Sequence, residues 1–213
     1  QAPLHAVVWD MVVRHLPNPL VSQPYRIPKI WRGEIEGEEG KGLVSCNPNA
    51  GVFFVITKIV IDPQAGEISA GRLFSGTMKK GTEVYLNRMK QNSRVQQVFI
   101  YNGAKREIVD NVPAGNIIGV AGIKSYVGET VTEHPTEPFE QITHIFEPVV
   151  TKAIEAKRPS DLPKLIEVLR MVGKEDPTVK IEINEETGEH LMHGMGELHL
   201  EVIENRIRTE KFV

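Results

Sequence analysis

From Pro3 to Leu16 apolar side chains fall at Leu4, Val7, Val8, Met11, Val12 and Leu16, the spacing of one helical face, so the chain opens on a predicted amphipathic helix that Pro17 and Pro19 end. Residues 17 to 50 carry five prolines and the run EGEEGKG without a sustained period, and read as a linker lying over a surface. At 51 the pattern changes. Apolar or β-branched runs at 52–61, 67–74, 82–86, 94–101 and 117–123, divided by DPQAG (62–66) and PAG (113–115), predict the short strands of a closed antiparallel β-barrel over 51–131. Gly71, inside one of these runs, fits a bulge or a sharp bend.

A proline-marked joint, HPTEPFE at 134–140, comes next, so 132–139 reads as a linker and 140–213 as a separate domain. There FEPVVTKAIEA (146–156) predicts a strand. PSDLPKLIEVLRMVGKED predicts a helix with Ser160 or Asp161 as N-cap, Pro163 in the first turn, Gly173 as the stop, and Leu162, Leu165, Ile166, Leu169 and Val172 as its buried stripe. TVKIEIN (178–184) alternates with period two, EETGEH turns, HLMHG returns as the partner strand, and GELHLEVIENRIRTE closes as a helix with Leu200, Ile203 and Ile207 on one side. The order β-α-β-β-α is one strand short of the ferredoxin-like split βαβ sandwich. The expected fold is therefore an antiparallel β-barrel followed by an incomplete α+β sandwich, in a chain that starts at Gln1 and reads as a piece of something longer. An unfilled sheet edge predicts pairing with a neighbour or local disorder.

Composition narrows the function classes only a little. At 213 residues and 40% hydrophobic the chain can bury a core in one large or two modest domains, and its formal charge of −3 means that any nucleic-acid contact depends on a local patch. The single cysteine, Cys46, rules out an internal disulfide framework, fits a reducing cytosolic setting, and lacks a surrounding catalytic motif. No apolar run reaches membrane-spanning length, and the N-terminus lacks a secretory pattern.

Three stretches invite chemistry. Gly71 and Gly76 in GRLFSGTMKKGTEVYL have the glycine spacing of a phosphate loop, but Thr77 and Met78 stand where lysine and a magnesium-binding hydroxyl are required. Lys80 and Gly81 instead read as the tip of a hairpin turn. His190, His193, Glu197, His199 and Glu201 form a polar cluster of metal-ligand type, yet on a strand His190 and His193 point to opposite faces, and His199 and Glu201 do not face each other on a helix. Lys79, Lys80, Arg88, Lys90 and Arg94, with Tyr85 and Tyr101 nearby, read either as an RNA-facing patch or as the charges that keep strand ends soluble, and the residues alone favour the second. No Ser/His/Asp, Cys/His or paired-carboxylate arrangement is present.

Four stretches together resemble a known family: DMVVRHLPNP (10–19), ITKIVIDPQAGEISAGRLFSGTMKKGTEVYL (56–86), VPAGNIIGVAGIK (112–124) and GMGELHLEVI (194–203). They look like the ribosomal translocase GTPases of the archaeal and eukaryotic elongation factor 2 type, over essentially the whole chain. The resemblance implies that residues 1–50 are the terminal helix and connector of a GTPase domain, 51–131 the second domain and 140–213 a truncated third. It implies GTP and Mg as cofactors of the parent protein and none in this chain, whose residues include no counterpart of the nucleotide site. None of the histidines stands in the context of the family's modified histidine. Implied partners are ribosomal RNA, small-subunit protein and the parent's own GTPase and C-terminal domains, with no membrane and no DNA, in the cytoplasm. Lys79, Lys80, Arg88, Lys90 and Arg94 are the candidate rRNA contacts. Gly194, Gly196, Glu197, His199 and Glu201 belong to a family motif read as structural or interdomain: the glycines permit a tight strand-to-helix turn, the glutamates neutralise the helix start, and Leu198, Leu200, Val202 and Ile203 pack. Two other readings remain: another translation GTPase or ribosome-rescue factor built on the same barrel, and a stand-alone RNA- or protein-binding module.

Overall fold

The computed structural model describes residues 3–62, 65–103, 105–140, 148–156, 158–184 and 189–210. The chain divides into two compact units, Gln1–Lys58 with Gln64–Gln141, and Ile59–Pro63 with Ile142–Val213.

The first unit opens on α1 (Leu4–His15), the helix its periodicity predicts, none of whose residues is buried. Where the sequence reads as a linker, the structure has two more helices, α2 (Pro19–Ile30) and α3 (Glu38–Val44). Proline count hid α2. Asn18 caps it by accepting the Val21 N–H at 3.0 Å, Pro19 sits where a missing N–H costs nothing, and Pro24 and Pro28 are carried inside the helix. Tertiary contacts offset their cost. Gln23 is buried and donates its amide hydrogens to the carbonyls of Leu43 and Phe74, while Ile27 is fully buried. With a glutamine in the inward stripe, apolar periodicity could not register this helix.

The sheet that follows runs through β1 (Phe53–Asp62), β2 (Gly66–Ser75), β3 (Thr77–Lys79), β4 (Glu83–Leu86), β5 (Gln91–Arg94), β6 (Gln97–Asn102), β7 (Lys105–Val109), β8 (Asn111–Pro113), β9 (Ile117–Ala121) and β10 (Thr130–Thr132). Eight strands hydrogen-bond in the order β5-β4-β10-β1-β2-β9-β6-β7, and β3 pairs with β8 as a separate ribbon. One face carries the cross-strand series Phe54–Val131–Leu86 and the pairs Val98–Val120 and Ile100–Ile118, nearly all fully buried. The long apolar strands are those the pattern predicts. β5 (QNSR) and β7 (KREIV) are polar at most positions and gain their conformation from pairing with β4 and β6.

The hairpin expected within GRLFSGTMKKGTEVYL is not formed. Lys80 and Gly81 do make a turn, with Gly81 at φ +85°, but β3 on one side pairs with β8, and β4 on the other pairs with β5 and β10. Gly71 answers to close approach: a Cβ there would lie 1.8 Å from the Val55 carbonyl oxygen of β1.

The opposite face of β1 and β2 is covered at one end. Trp31 meets Phe53 edge-on at 5.9 Å, Phe53 meets Phe139 at 6.2 Å, and Phe74 lies 4.9 Å from Phe139. Ile27 and Leu43 complete this cluster, which folds the proline-marked stretch around 134–140 back against α2: the Trp31 indole donates to the Glu137 carbonyl at 2.7 Å, and the Phe139 N–H to the Thr130 hydroxyl at 3.0 Å.

The second unit has the predicted element order: β11 (Val150–Ile154), α4 (Leu162–Glu175), β12 (Lys180–Ile183), β13 (His190–Gly194) and α5 (Glu197–Glu210). Its sheet order is β11-β13-β12, antiparallel throughout. The alternating strand faces place Met192 and Ile181 against Leu165, Val168, Leu169 and Val172 of α4 and Leu200, Ile203 and Ile207 of α5. Two expectations change. α4 runs through Gly173 to Glu175, and Leu198 and Val202, read as packing residues, face outward at 73% and 53% exposure. The expected turn at 185–188 and the start of the first expected strand at 146–147 lie outside the described residues.

Candidate functional site

The five basic candidates separate into two groups. Lys79, Lys80 and Arg94 gather around the Gly81 turn, where the Gly81 N–H donates to Val95 O and Arg94 Nε donates to Gly81 O at 3.2 Å. Arg88 and Lys90 occupy the other end of the β4–β5 hairpin, four paired positions away. Lys90 is exposed, with φ +53°. Arg88 ties the fold together instead of presenting a free cation: its Nε donates to Gly128 O at 3.1 Å and its Nη2 to Phe139 O at 2.6 Å. Beneath it sits Glu129, 2% exposed, whose carboxylate accepts the N–H groups of Arg88, Met89 and Thr130 at 2.8, 3.1 and 2.9 Å. Sequence reasoning passed over Glu129 because nothing in its local context distinguishes it from a surface acid.

The phosphate-loop spacing falls on strand. Gly71 lies within β2, and Thr77 opens β3, so a strand follows where a phosphate cradle needs a helix N-terminus. Gly76 stands between them at φ +78°, where a Cβ would meet Val52 Cα at 2.7 Å. These residues do not fit a nucleotide.

Nearby, burial pushes the Cys46 thiol pKa up, partly countered by the positive charge of Arg72, which disfavours the reactive thiolate.

In the second unit the strand-to-helix motif is built around a histidine. His199 accepts the Met195 N–H on Nδ1 at 3.3 Å and places Nε2 3.3 Å from Asp176 Oδ2, just beyond the end of α4. Asp176 also accepts the Thr178 N–H at 3.0 Å and the Thr178 hydroxyl at 2.5 Å. Neither Asp176 nor Thr178 was among the site residues expected from the sequence. The signal was there in DPT at 176–178, an aspartate able to bond the backbone two residues on. A Cβ on Gly194 would lie 2.5 Å from a methyl of the fully buried Leu200, whereas one on Gly196 would meet open space, and neither glycine has a positive φ. The constraint in this motif is therefore packing at Gly194 and not the backbone freedom of a turn. Glu197 lies in the first turn of α5, where its charge complements the helix dipole, and Glu201 is exposed.

Burial alone would raise the Asp176 pKa, but hydrogen bonds from the Thr178 hydroxyl and N–H and from His199, together with the His199 charge, hold it below the usual carboxylate value. A depressed folded pKa gives stability that is present above the unfolded pKa of about 3.9 and is lost as pH falls through the folded one. The destabilisation caused by Asp176→Asn is therefore expected to be full at neutral pH and to shrink below about pH 4, as read from urea titrations of both proteins across that range.

His190 and His193 fall on opposite faces of β13. His193 places Nδ1 2.8 Å from the Thr151 hydroxyl and Nε2 3.5 Å from Glu182, longer than a normal hydrogen bond. Lys180 lies 2.7 Å from Glu182 and is the main cause of its depressed pKa. His190 is 2% exposed, and neither ring nitrogen has a hydrogen-bond partner. An unsatisfied buried polar group costs about 1–3 kcal/mol. His190→Leu is expected to leave the melting temperature unchanged or raise it, and a fall would show that the ring has a partner.

The two units have counterparts in known proteins. Residues 66–132 match the model for elongation factor Tu domain 2, and residues 145–213 match that for elongation factor G, domain III. An antiparallel sheet unit of the first type followed by an α+β unit of the second places the chain among the translation elongation factors. Over 203 residues, 95% of the chain, it is 58% identical to elongation factor 2 of Thermococcus sibiricus. Identity is 56% with that of Methanopyrus kandleri and 55% with that of Methanocaldococcus jannaschii, over 98% and 99% of the chain. The chain belongs to the elongation factor 2 family, and it spans 28%, 17% and 29% of the length of these three relatives. Among the described residues no helix is long and apolar enough to cross a membrane.

Proposed function

We propose that this chain is the central part of a ribosomal translocase of the elongation factor 2 type, which moves tRNA and mRNA on the ribosome at the expense of GTP in the cytoplasm. The observation that supports this most is the succession of the two domain matches in one chain that aligns along nearly its whole length with elongation factor 2. In this reading the chain itself carries no catalytic or nucleotide-binding residue. GTP and Mg belong to other parts of the parent, while the sheet unit offers surfaces to ribosomal RNA and small-subunit protein and the α+β unit couples to neighbouring domains. Nucleotide state acts by domain reorientation, for which two separately cored units are suitable bodies.

The test is a transplant. The matching segment of the Thermococcus sibiricus factor is replaced by this chain, and peptide synthesis on archaeal ribosomes is measured. Retained synthesis is expected. A folded chimaera that binds GTP and ribosomes but does not translocate would overturn the proposal, as would saturable GTP binding by the 213-residue chain in a calorimeter.

A further inference from the structure

The outward face of β2, β9, β6 and β7 carries a row of side chains that the reading above does not use. Arg72 on β2 is paired with Ile117 on β9, and Tyr101 on β6 with Arg106 on β7. Tyr101 follows Ile100, the partner of Ile118, and so comes abreast of Ile117. The row across the four strands is thus Arg, Ile, Tyr, Arg, about 14 Å from end to end at the usual strand spacing. Beside it runs a second row, Ala70, Gly119, Phe99 and Ile108.

The relief of this face follows from its glycine. A Cβ on Gly119 would lie 2.6 Å from the Tyr101 hydroxyl oxygen and 3.1 Å from its Cζ, so the ring leans across β9 with one side on the glycine. Gly119 itself is buried, yet Tyr101 keeps 41% of its surface exposed. Ile117 and Ile108 are exposed at 61% and 66%. Arg106 is held with its guanidinium 5.3 Å from the Phe99 ring centre, and Arg72 stands 5.9 Å from that of Phe74. Covering a strand glycine with an aromatic ring is a structural device in its own right. It does not account for two further exposed isoleucines or for the charge. On this face Ile68, Phe99 and Ala121 form a buried cluster and Gly119 is buried, and of the twelve positions 68, 70, 72, 74, 97, 99, 101, 106, 108, 117, 119 and 121 two are arginines and none is a carboxylate, in a chain whose formal charge is −3.

We propose that this row is a stacking platform for an unpaired nucleotide of ribosomal RNA, with a base on Tyr101 and Ile117 and phosphates at Arg72 and Arg106. An aromatic ring with an open face gives sequence-tolerant stacking, and flanking arginines supply the backbone contact. A protein partner would use the same apolar surface, but the two charged side chains of the row are both arginines, which matches a polyanion. The inference rests on the translation-factor reading only for the source of the RNA.

The test titrates the chain against fluorescein-labelled single-stranded oligo(U), the same strand in a duplex, and salt, with cosedimentation on archaeal ribosomes in parallel. Single strand is expected to bind in preference to duplex, Tyr101→Ala to weaken it about tenfold, and Tyr101→Phe to bind as the native chain does. Arg72→Gln with Arg106→Gln is expected to lower the salt slope. Lys79→Gln with Lys80→Gln serves as the basic control away from the row and leaves the single-strand preference intact. Unchanged Trp31 fluorescence shows that each variant is folded. Equal binding of duplex, or native binding by a folded Tyr101→Ala, overturns the platform. If the chain still pellets with ribosomes in those cases, the translation-factor reading stands and only this face is lost. Ribosome binding that depends on Tyr101 without affinity for free RNA assigns the face to a protein contact and overturns the proposal equally.

Discussion

Trp31→Ala is expected to cost the first unit about 3–5 kcal/mol, the range for emptying a buried Trp site. Trp31 is 3% exposed, packs edge-on against Phe53, and sends its indole N–H to the Glu137 carbonyl. Its loss leaves a cavity between α2 and the sheet and removes one of the bonds that hold the stretch around 134–140. Two signals should therefore change together: the midpoint of guanidinium unfolding followed by far-UV circular dichroism, and the rate of proteolytic cleavage between 132 and 140. Trp31→Phe, which keeps an aromatic ring without the donor, is expected to recover most of the packing but not the protection of the 132–140 stretch. If Trp31→Ala cleaves at the native rate, the stretch is held by its other contacts, among them Phe139, Arg88, the Thr136 N–H on Asn87 and the Glu140 N–H on the Ile30 carbonyl.

Gly71→Ala is the second large effect, about 3 kcal/mol by overpacking at the backbone. The methyl would sit 1.8 Å from the Val55 oxygen, and the neighbouring contacts, Val55 C at 2.8 Å and Ile56 Cα at 3.0 Å, are also backbone, so no side chain can swing aside. β1 and β2 must separate locally. The readout is unit-specific because both tryptophans, Trp9 and Trp31, lie in the first unit and Trp9 is largely exposed, so the buried indole reports on the sheet. The second unit, with its own core, should keep its native transition. Gly196→Ala is the matched control, since a Cβ there meets nothing within 4 Å.

The parts of this protein that were legible in advance are those where one local rule acted alone. In α4 and α5 the 3.6-residue period located Leu165, Leu169, Leu200, Ile203 and Ile207, all buried as expected. Period two did the same for β12 and β13, including the opposite faces of His190 and His193. The resemblance to elongation factor 2 came from runs such as GELHLEVI that survive as contiguous text. Where two rules conflicted, the local one misled: prolines hid α2, and a Lys-Gly turn was taken to join strands that pair with each other.

The candidate site follows the same division. Sequence order alone determined that the chain has a strand-rich segment followed by β-α-β-β-α, and that GRLFSGT lacks the lysine and hydroxyl of a nucleotide loop. Only the tertiary structure decided that Arg88 braces residues 128 and 139, that Asp176 and Thr178 join His199, and that Arg72, Ile117, Tyr101 and Arg106 form one row. Apart from the hairpin neighbours Tyr101 and Arg106, those pairings in the sheet unit join residues between 16 and 51 positions apart, from Tyr101–Ile117 to Arg88–Phe139. Strand alternation says which side a residue faces, but register says whom it meets, and register is set by the summed burial of whole strands, which no short window contains.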